Sequence, residues 1–168
     1  MTRFVLDTDV VIALERACSG LGLGSRGALP VILTDVVWDE LEAPGDTARR
    51  AQEFAKAIAG DVTALVADSP EAATLVALQA SPKTEGPGEH SVIAYCHHHH
   101  EAIAVLQDRA AVRRGIEELR GRVLSFHGLV GELVDRGHVS WPEARAMANR
   151  YRRQYNHARI PIWWPPDL

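Results

Sequence analysis

The chain opens with Phe4-Val-Leu-Asp-Thr-Asp9, in which three apolar residues are followed at once by two acids. Short apolar runs bounded by polar residues are typical of buried strands. Further runs of this kind lie at residues 31–33, 62–67, 102–106 and 123–124, and segments with helical spacing of apolar residues lie between them. This alternation predicts an α/β fold with a central, mostly parallel sheet sandwiched between helices.

The predicted elements fill one domain of ordinary size. Hydrophobic residues make up 46% of the 168 residues, which is enough for one sizeable core. We therefore expect a single domain over residues 1–158, with its last helices beginning near residue 127. An extended tail rich in proline and tryptophan is expected over residues 159–168. Helices are predicted over residues 10–18, 35–41, 46–59, 70–79, 89–98, 127–136 and 140–157.

Charge is distributed unevenly along the chain. The formal net charge is −4, but residues 1–108 contain 7 Lys and Arg against 16 Asp and Glu, whereas residues 109–159 contain 11 Arg against 5 acids. An acidic first part and an arginine-rich second part suit a protein that binds cations at one place and phosphates at another. Solvated helix faces would give the same counts, so charge alone leaves both interpretations open.

The sequence does not predict export or membrane insertion. No apolar run approaches the roughly 18 residues of a membrane span, and residues 1–3 do not resemble the start of a signal peptide. Cys18 and Cys96 lie in apolar helical patterns, where free buried thiols are expected. We therefore expect a cytoplasmic protein with no disulfide framework and no membrane partner.

Acidic residues lie at the ends of predicted strands. Asp7 ends the first strand, Asp9 follows it, and Asp108 comes after the strand that begins at residue 102. Glu40 lies in the helix after the second strand, and Glu89 begins the helix that precedes the strand leading to Asp108. In parallel sheets ligands bind beyond the carboxyl ends of the strands, where gathered carboxylates repel one another unless a cation lies between them. Each acid taken singly has the alternative of a helix cap or a surface position, but together they predict a site for a hard divalent ion.

Four motifs, in this order, resemble those of PIN domains. Phe4-Val-Leu-Asp-Thr-Asp-Val-Val-Ile12 is similar to their opening strand, and Thr34-Asp-Val-Val-Trp-Asp-Glu-Leu41 to their second motif. Gly88-Glu-His-Ser-Val-Ile-Ala94 and Ala104-Val-Leu-Gln-Asp-Arg-Ala-Ala111 resemble the third and fourth. The stretch Phe126–Gly137 is similar to a helical extension of one bacterial PIN branch. The resemblance implies a Rossmann-like PIN fold and a metal-dependent endoribonuclease, often the toxin of a toxin–antitoxin pair of VapC type. It also implies Mg²⁺ or Mn²⁺ as cofactor, RNA as substrate, an antitoxin protein as partner and a homodimer.

The resemblance further implies roles for individual residues. The catalytic and metal-binding acids would be Asp7, Glu40, Glu89 and Asp108, with Asp9 as a further ligand, directly or through water. Two positions depart from the family pattern. Many members have Asp where this chain has His90, and a frequent Thr near the last acid is replaced by Leu106 and Gln107.

Arginines that follow the acids are candidates for RNA binding. Arg109, Arg113 and Arg114 follow Asp108 on one predicted helix, and the first two share a face because they are four residues apart. Their side chains could hold the phosphate backbone or form a solvated helix face. Arginines at 150, 152 and 153 alternate with tyrosines at 151 and 155. This pattern suits single-stranded RNA or a protein interface.

Two other functions fit parts of the sequence. A PIN-like module that binds RNA or protein without turnover is favoured by the altered third motif. A haloacid-dehalogenase-type phosphatase would use Asp7 as nucleophile and Asp9 as general acid. That chemistry also needs a downstream lysine, and the only lysines, Lys56 and Lys83, do not lie at a strand end.

Overall fold

The first strand of the chain lies in the middle of the sheet. The computed structural model describes residues 2–63, 65, 68–81 and 85–155. Its strands are β1 (Arg3–Leu6), β2 (Leu29–Thr34), β3 (Ala59–Thr63), β4 (Ala102–Val105) and β5 (Val123–Leu124). Neighbouring strands all pair in parallel, in the order β3-β2-β1-β4-β5. The predicted α/β fold with a parallel central sheet is confirmed.

Eight α-helices in the described part of the chain flank this sheet. They are α1 (Thr8–Ala17), α2 (Asp35–Leu41), α3 (Asp46–Ile58), α4 (Pro70–Gln79), α5 (Pro87–His98), α6 (Arg109–Leu119), α7 (Phe126–Asp135) and α8 (Trp141–Gln154). α1 packs against α3, α7 and α8, whereas α5 packs against α4 and α6. The chain runs from β1 through β2 to β3 on one side of the sheet, and then from β4 to β5 on the other. Because parallel crossovers are right-handed, the helices that connect the strands in these two halves cover opposite faces of the sheet.

β1 and α5 form the most deeply buried part of the fold. Phe4, Val5 and Leu6 have no exposed surface, since β2 and β4 flank β1 and helices cover both of its faces. In α5, Gly88 is buried and so is every residue from position 90 to Cys96. A helix that is buried nearly all round belongs to the core rather than to the surface layer. The start of α5 is thereby fixed against the carboxyl edge of the sheet.

The strand order reverses between β1 and β4. β2 and β3 lie on one side of β1, and β4 and β5 lie on the other. The connections from β1 and β4 therefore leave the sheet in opposite directions, which opens a crevice at the carboxyl ends of these strands. Asp7 follows β1 directly, and its backbone N–H donates to the carbonyl of Val105 at 3.2 Å. The first predicted acid thus lies at this switch point.

The third strand does not lie where the sequence pattern predicts it. The pattern predicts a strand over residues 62–67, whereas β3 spans Ala59–Thr63 and pairs with β2 from Leu29 to Thr34. The extended backbone of Ala59, with φ −73° and ψ 130°, ends α3 and starts the strand directly. The predicted helices agree with the observed ones to within a few residues. Residues 64, 66 and 67 and the predicted tail over 159–168 lie outside the described residues.

Both cysteines are buried inside the fold. Cys18 and Cys96 are free, as predicted, and burial raises the pKa of each thiol to about 12. Such thiols are unreactive near neutral pH. Among the described helices, none combines the length and the apolar character that crossing a membrane requires.

Arg122 closes the edge of the sheet opposite the acids. Its guanidinium donates to the backbone carbonyls of Cys96 at 2.8 Å, His99 at 3.2 Å and Ala102 at 2.7 Å. These carbonyls lie at the end of α5 and the start of β4. A helix leaves its last carbonyls without helical partners, and a cation there also complements the helix dipole.

We expect Arg122→Ala to lower the free energy of unfolding by about 2–3 kcal/mol, because it removes charge-assisted hydrogen bonds and leaves carbonyls without donors. Arg120→Gly is the matched control. It removes the same charge from an exposed side chain, and the φ of 52° at this position favours glycine. Urea denaturation followed by circular dichroism measures both variants. Equal losses for the two would contradict the role of Arg122.

Candidate metal and active site

The carboxylates of Asp7 and Glu40 meet around Gly88. A side-chain carbon at position 88 would lie 2.5 Å from Glu40 Oε2 and 3.0 Å from Asp7 Oδ1, so the two carboxylates fill the space that glycine leaves open. The backbone N–H of Gly88 donates to Glu40 Oε1 at 2.9 Å, and the hydroxyl of Thr8 donates to Glu40 Oε2. The first turns of α1 and α5 therefore hold Glu40 in place.

Two buried hydroxyl groups fix the start of α5 to β2. Thr34 Oγ1 and Ser91 Oγ are 2.7 Å apart, and Ser91 donates to the carbonyl of Gly88 at 2.7 Å. Thr34 also caps α2, where its hydroxyl oxygen accepts the N–H of Val37 at 3.2 Å. Hydrogen bonds thus run without a break from the end of β2 to the backbone of Gly88, and they hold that backbone against the two acids.

Asp7 is buried among other carboxylates. Only 3% of its surface is exposed. Burial, and after it the negative charges of Glu89, Asp9 and Glu40, raise the pKa of Asp7 from 3.8 to about 8, although the backbone amide of Thr8 lowers it in part. In the absence of a cation Asp7 is therefore mostly protonated at neutral pH, and a cation at this position restores its charge.

Glu89 and Asp108 lie at the same edge as caps of their own helices. The Glu89 carboxylate accepts the backbone N–H of Gly86. Asp108 is the N-cap of α6, where its Oδ1 accepts the N–H groups of Ala110 at 2.8 Å and Ala111 at 3.1 Å. Both carboxylates are thus engaged by backbone amides, which is the alternative that each acid has when taken singly.

Each of the five predicted acids lies within range of the charge of at least one other. Burial raises the pKa of Glu89, and the charges of Asp108 and Asp9 raise it further. Glu89 in turn raises the pKa of Asp7. Asp9 is exposed in the first turn of α1. The structure therefore brings Asp7 and Glu40 together around one glycine and places the other three acids in the same neighbourhood.

The described residues do not form a complete metal site. Among them, no three His, Cys, Asp or Glu side chains are arranged to hold one ion, since Glu89 and Asp108 face backbone amides. The donor chemistry nevertheless fits, because the acids offer only carboxylate oxygens, which Mg²⁺ and Mn²⁺ prefer, and because burial, followed by the charges of the neighbouring acids, raises the pKa of Asp7. Asp7 and Glu40 are the pair that would hold such an ion, with Glu89 and Asp108 as further candidates.

The predicted RNA-binding arginines differ in availability. Arg109 and Arg113 are exposed near the start of α6, next to Asp108, and no ion pair within the described ranges involves either. Arg114 Nε lies 3.1 Å from Glu118 Oε1, and only 15% of the Arg114 side chain is exposed. A phosphate would therefore meet Arg109 and Arg113 more readily than Arg114.

The cluster near residue 150 is divided between the core and the surface. Arg150 donates to the carbonyl of Ala17 at 2.9 Å, which closes the end of α1, and Tyr151 is only 7% exposed. These two side chains therefore stabilise the fold, and the other two arginines are the members of the cluster that remain available to RNA or to a protein partner. Arg152 and Arg153 are exposed.

Three residues that were not predicted as ligands or catalytic groups position the acids of the site. Thr8 binds Glu40, Gly88 makes room for two carboxylates, and Ser91 ties α5 to β2. In the sequence, Gly88 belongs to a segment rich in proline and glycine that predicts a loop, and Ser91 is one polar residue of a helix. Their roles depend on how α5 crosses the end of the sheet, which no local pattern reveals.

Comparison with known proteins adds no family assignment. A scan against protein-family models gives no match, and a search of curated proteins gives none either. Function must therefore be inferred from the site and from the resemblance of the four motifs.

In metal-free buffer, we expect Asp7→Asn to stabilise the protein more and more as the pH rises from about 4 to about 8. Over this range the unfolded chain loses the Asp7 proton, whereas the folded chain keeps it until about pH 8. The folded wild-type protein then binds more protons than the unfolded chain, so its stability falls with rising pH, and asparagine removes that loss. Urea denaturation in EDTA should give a gain near zero at the low pH and several kcal/mol at the high pH.

Asp39→Asn is the matched control for this experiment. Asp39 precedes Glu40 on α2 and is exposed, so its replacement removes the same charge from the surface. We expect no pH-dependent gain for this variant. A gain that is equal in both variants, or independent of pH for Asp7→Asn, would contradict a buried and repelled carboxylate.

Proposed function

We propose that the protein is a metal-dependent endoribonuclease, in which Asp7 and Glu40 bind Mg²⁺ or Mn²⁺. The observation that carries this proposal is the meeting of the two carboxylates around Gly88 at the switch point of the sheet. When bound, such an ion supplies Lewis-acid stabilisation of the charge that develops on the phosphate and activates the attacking water.

The chain's own residues fix the positions of the reacting groups. Glu40 is held by Thr8 and by the N–H of Gly88, and Asp7 is fixed by burial. Groups that are oriented before the reaction need no reorganisation during it, which is the main source of electrostatic catalysis. Because Asp7 must lose its proton to bind a cation, ion binding releases a proton and becomes tighter as the pH rises.

RNA is the proposed substrate because exposed cations lie beside the acids. Arg109 and Arg113 are exposed on α6, which Asp108 caps. Arginines placed along one side of a site suit the repeated phosphates of a nucleic acid. The resemblance of the motifs extends the proposal to a toxin of a toxin–antitoxin pair, with an antitoxin protein as partner, a homodimer as assembly and the cytoplasm as location.

A PIN-like module that binds RNA without cleaving it is the second candidate. It is favoured by the backbone amides that already bind Glu89 and Asp108, and by the hydrogen bonds that both oxygens of Glu40 accept. A phosphatase with Asp7 as nucleophile has less support. Asp7 is protonated near neutral pH, and Lys56 lies over the Trp38 ring at 5.8 Å, while Lys83 lies outside the described residues.

We expect the purified protein to cleave single-stranded RNA with Mg²⁺ or Mn²⁺, leaving the 5′-phosphate that the resemblance implies, and to lose this activity in EDTA. Asp7→Asn and Glu40→Gln should each lower the rate by at least about 10²-fold, whereas Asp39→Asn should cleave like the wild type. Gel analysis of a labelled oligoribonucleotide measures the rates. Cleavage that persists in EDTA or in Asp7→Asn would refute the mechanism, and binding without cleavage under either metal would favour the second candidate.

We expect RNA affinity to depend on salt through Arg109 and Arg113. In the Asp7→Asn background, which prevents cleavage, log affinity should fall with log salt by about 0.7 for each phosphate contact on a single strand. Arg109→Ala combined with Arg113→Ala should make this slope shallower by about one to two units. Arg120→Gly, at the other end of α6, should leave it unchanged. Fluorescence anisotropy at several salt concentrations measures the slopes, and affinity without salt dependence would show that these arginines do not bind RNA.

A further inference from the structure

Three aromatic rings form a column at the surface end of α8. Phe126 and Tyr151 are stacked with their centroids 4.1 Å apart and their planes 6° apart. The centroid of the Tyr155 ring lies 4.6 Å from that of Tyr151, with the two planes tilted by 38°. Phe126 and Tyr151 are buried, whereas Tyr155 is half-buried. Within the described part of the chain the column ends at Tyr155, the residue that ends α8.

The column stands at the same edge of the sheet as the acids. Phe126 begins α7 directly after Ser125, which follows β5, and the register Val105↔Leu124 aligns the end of β5 with that of β4. α8 packs against α1, whose first turn carries Asp9. Burial, followed by the charges of Tyr155 and Asp9, raises the pKa of Tyr151 to about 12. Tyr151, the middle ring, is therefore near enough to Asp9 for that charge to act on it.

Exposed cations accompany the outer ring. Arg152 and Arg153 lie in the last turn of α8 and are exposed, and no ion pair in the described ranges involves them. Arg152 shares a face of the helix with Tyr155, since the two are three residues apart, whereas Arg153 does not. A ring with a cation beside it is the combination by which proteins bind single-stranded nucleic acids.

We propose that Tyr155 is a stacking platform for one unpaired base of the RNA strand, with Arg152 binding a neighbouring phosphate. This inference rests on the proposed function and adds to it the residue that selects single strands, because a base within a duplex cannot lie on the ring. Tyr151 and Phe126 support Tyr155 from behind. A ring that is held in position before binding loses little conformational entropy when a base stacks on it.

The test uses the full-length Asp7→Asn protein without metal and a short oligouridine that contains one 2-aminopurine, whose fluorescence is quenched by stacking. We expect the protein with Tyr155 intact to quench the probe. Tyr155→Leu should lose the quenching and bind about tenfold more weakly, the equivalent of one stacked base. Tyr155→Phe is the matched control and should keep both properties, because it retains the ring. Quenching that is unchanged in Tyr155→Leu overturns the proposal.

A second pair of variants tests the arrangement without altering the aromatic column. Arg152→Ala should weaken binding of the same probe and make its salt slope shallower by about one unit, whereas Arg153→Ala should have a smaller effect. Equal effects of the two variants overturn the placement of the phosphate beside Tyr155. Failure of the nuclease proposal is seen separately, as an absence of metal-dependent cleavage by the wild type while the Tyr155-dependent quenching remains.

Discussion

The burial of Asp7 among other carboxylates, which repel it when it is ionised, is the constraint on which the site depends. Asp7 is buried where three other acids act on it, which raises its pKa to about 8. The first residues of three helices offset part of this repulsion by donating hydrogen bonds to the acids. Thr8 of α1 and Gly88 of α5 donate to Glu40, and a backbone amide of α6 donates to Asp108. The N-terminus of a helix carries partial positive charge. These helix starts therefore allow several acids to lie at the carboxyl edge of a folded protein, although they do not neutralise the charge of the acids.

The helix caps and an ion compete for the same carboxylates. An ion that recruits Glu89 or Asp108 has to replace their hydrogen bonds to backbone amides, and a cap is worth about 1 kcal/mol. Burial, and after it the charges of the other acids, raise the pKa of Asp7 from 3.8 to about 8, and one pKa unit corresponds to about 1.4 kcal/mol. Ionising Asp7 in the folded protein without a cation therefore costs more than one cap contributes, and a cation that offsets this cost can replace a cap. The capped arrangement is thus consistent with a metal-free state of an ion-binding site.

Sequence patterns predict the parts of the structure that are local. Apolar runs ending in acids located β1 and the residues after β4, because a buried strand and its polar end lie next to each other in the chain. β3 was misplaced because it begins at the end of a helix, where Ala59 carries no strand signal. Gly88 and Arg150 belong to patterns that the sequence analysis singles out, but their contacts with Glu40, Asp7 and Ala17 depend on how α5 and α8 pack against distant elements.

The number of arginines in the second part of the chain overstates how many can bind phosphate, because some of them already have partners. Arg122 and Arg150 bind backbone carbonyls, and Arg114 lies beside Glu118. Exposed arginines remain at the start of α6 and in the last turn of α8. Under the proposed function, a phosphate that reaches the carboxyl edge is attracted by these arginines and repelled by any acid there that is ionised. A divalent cation between phosphate and carboxylates would remove that repulsion, so the proposed ion is what would let the acids and the arginines act on one polyanion.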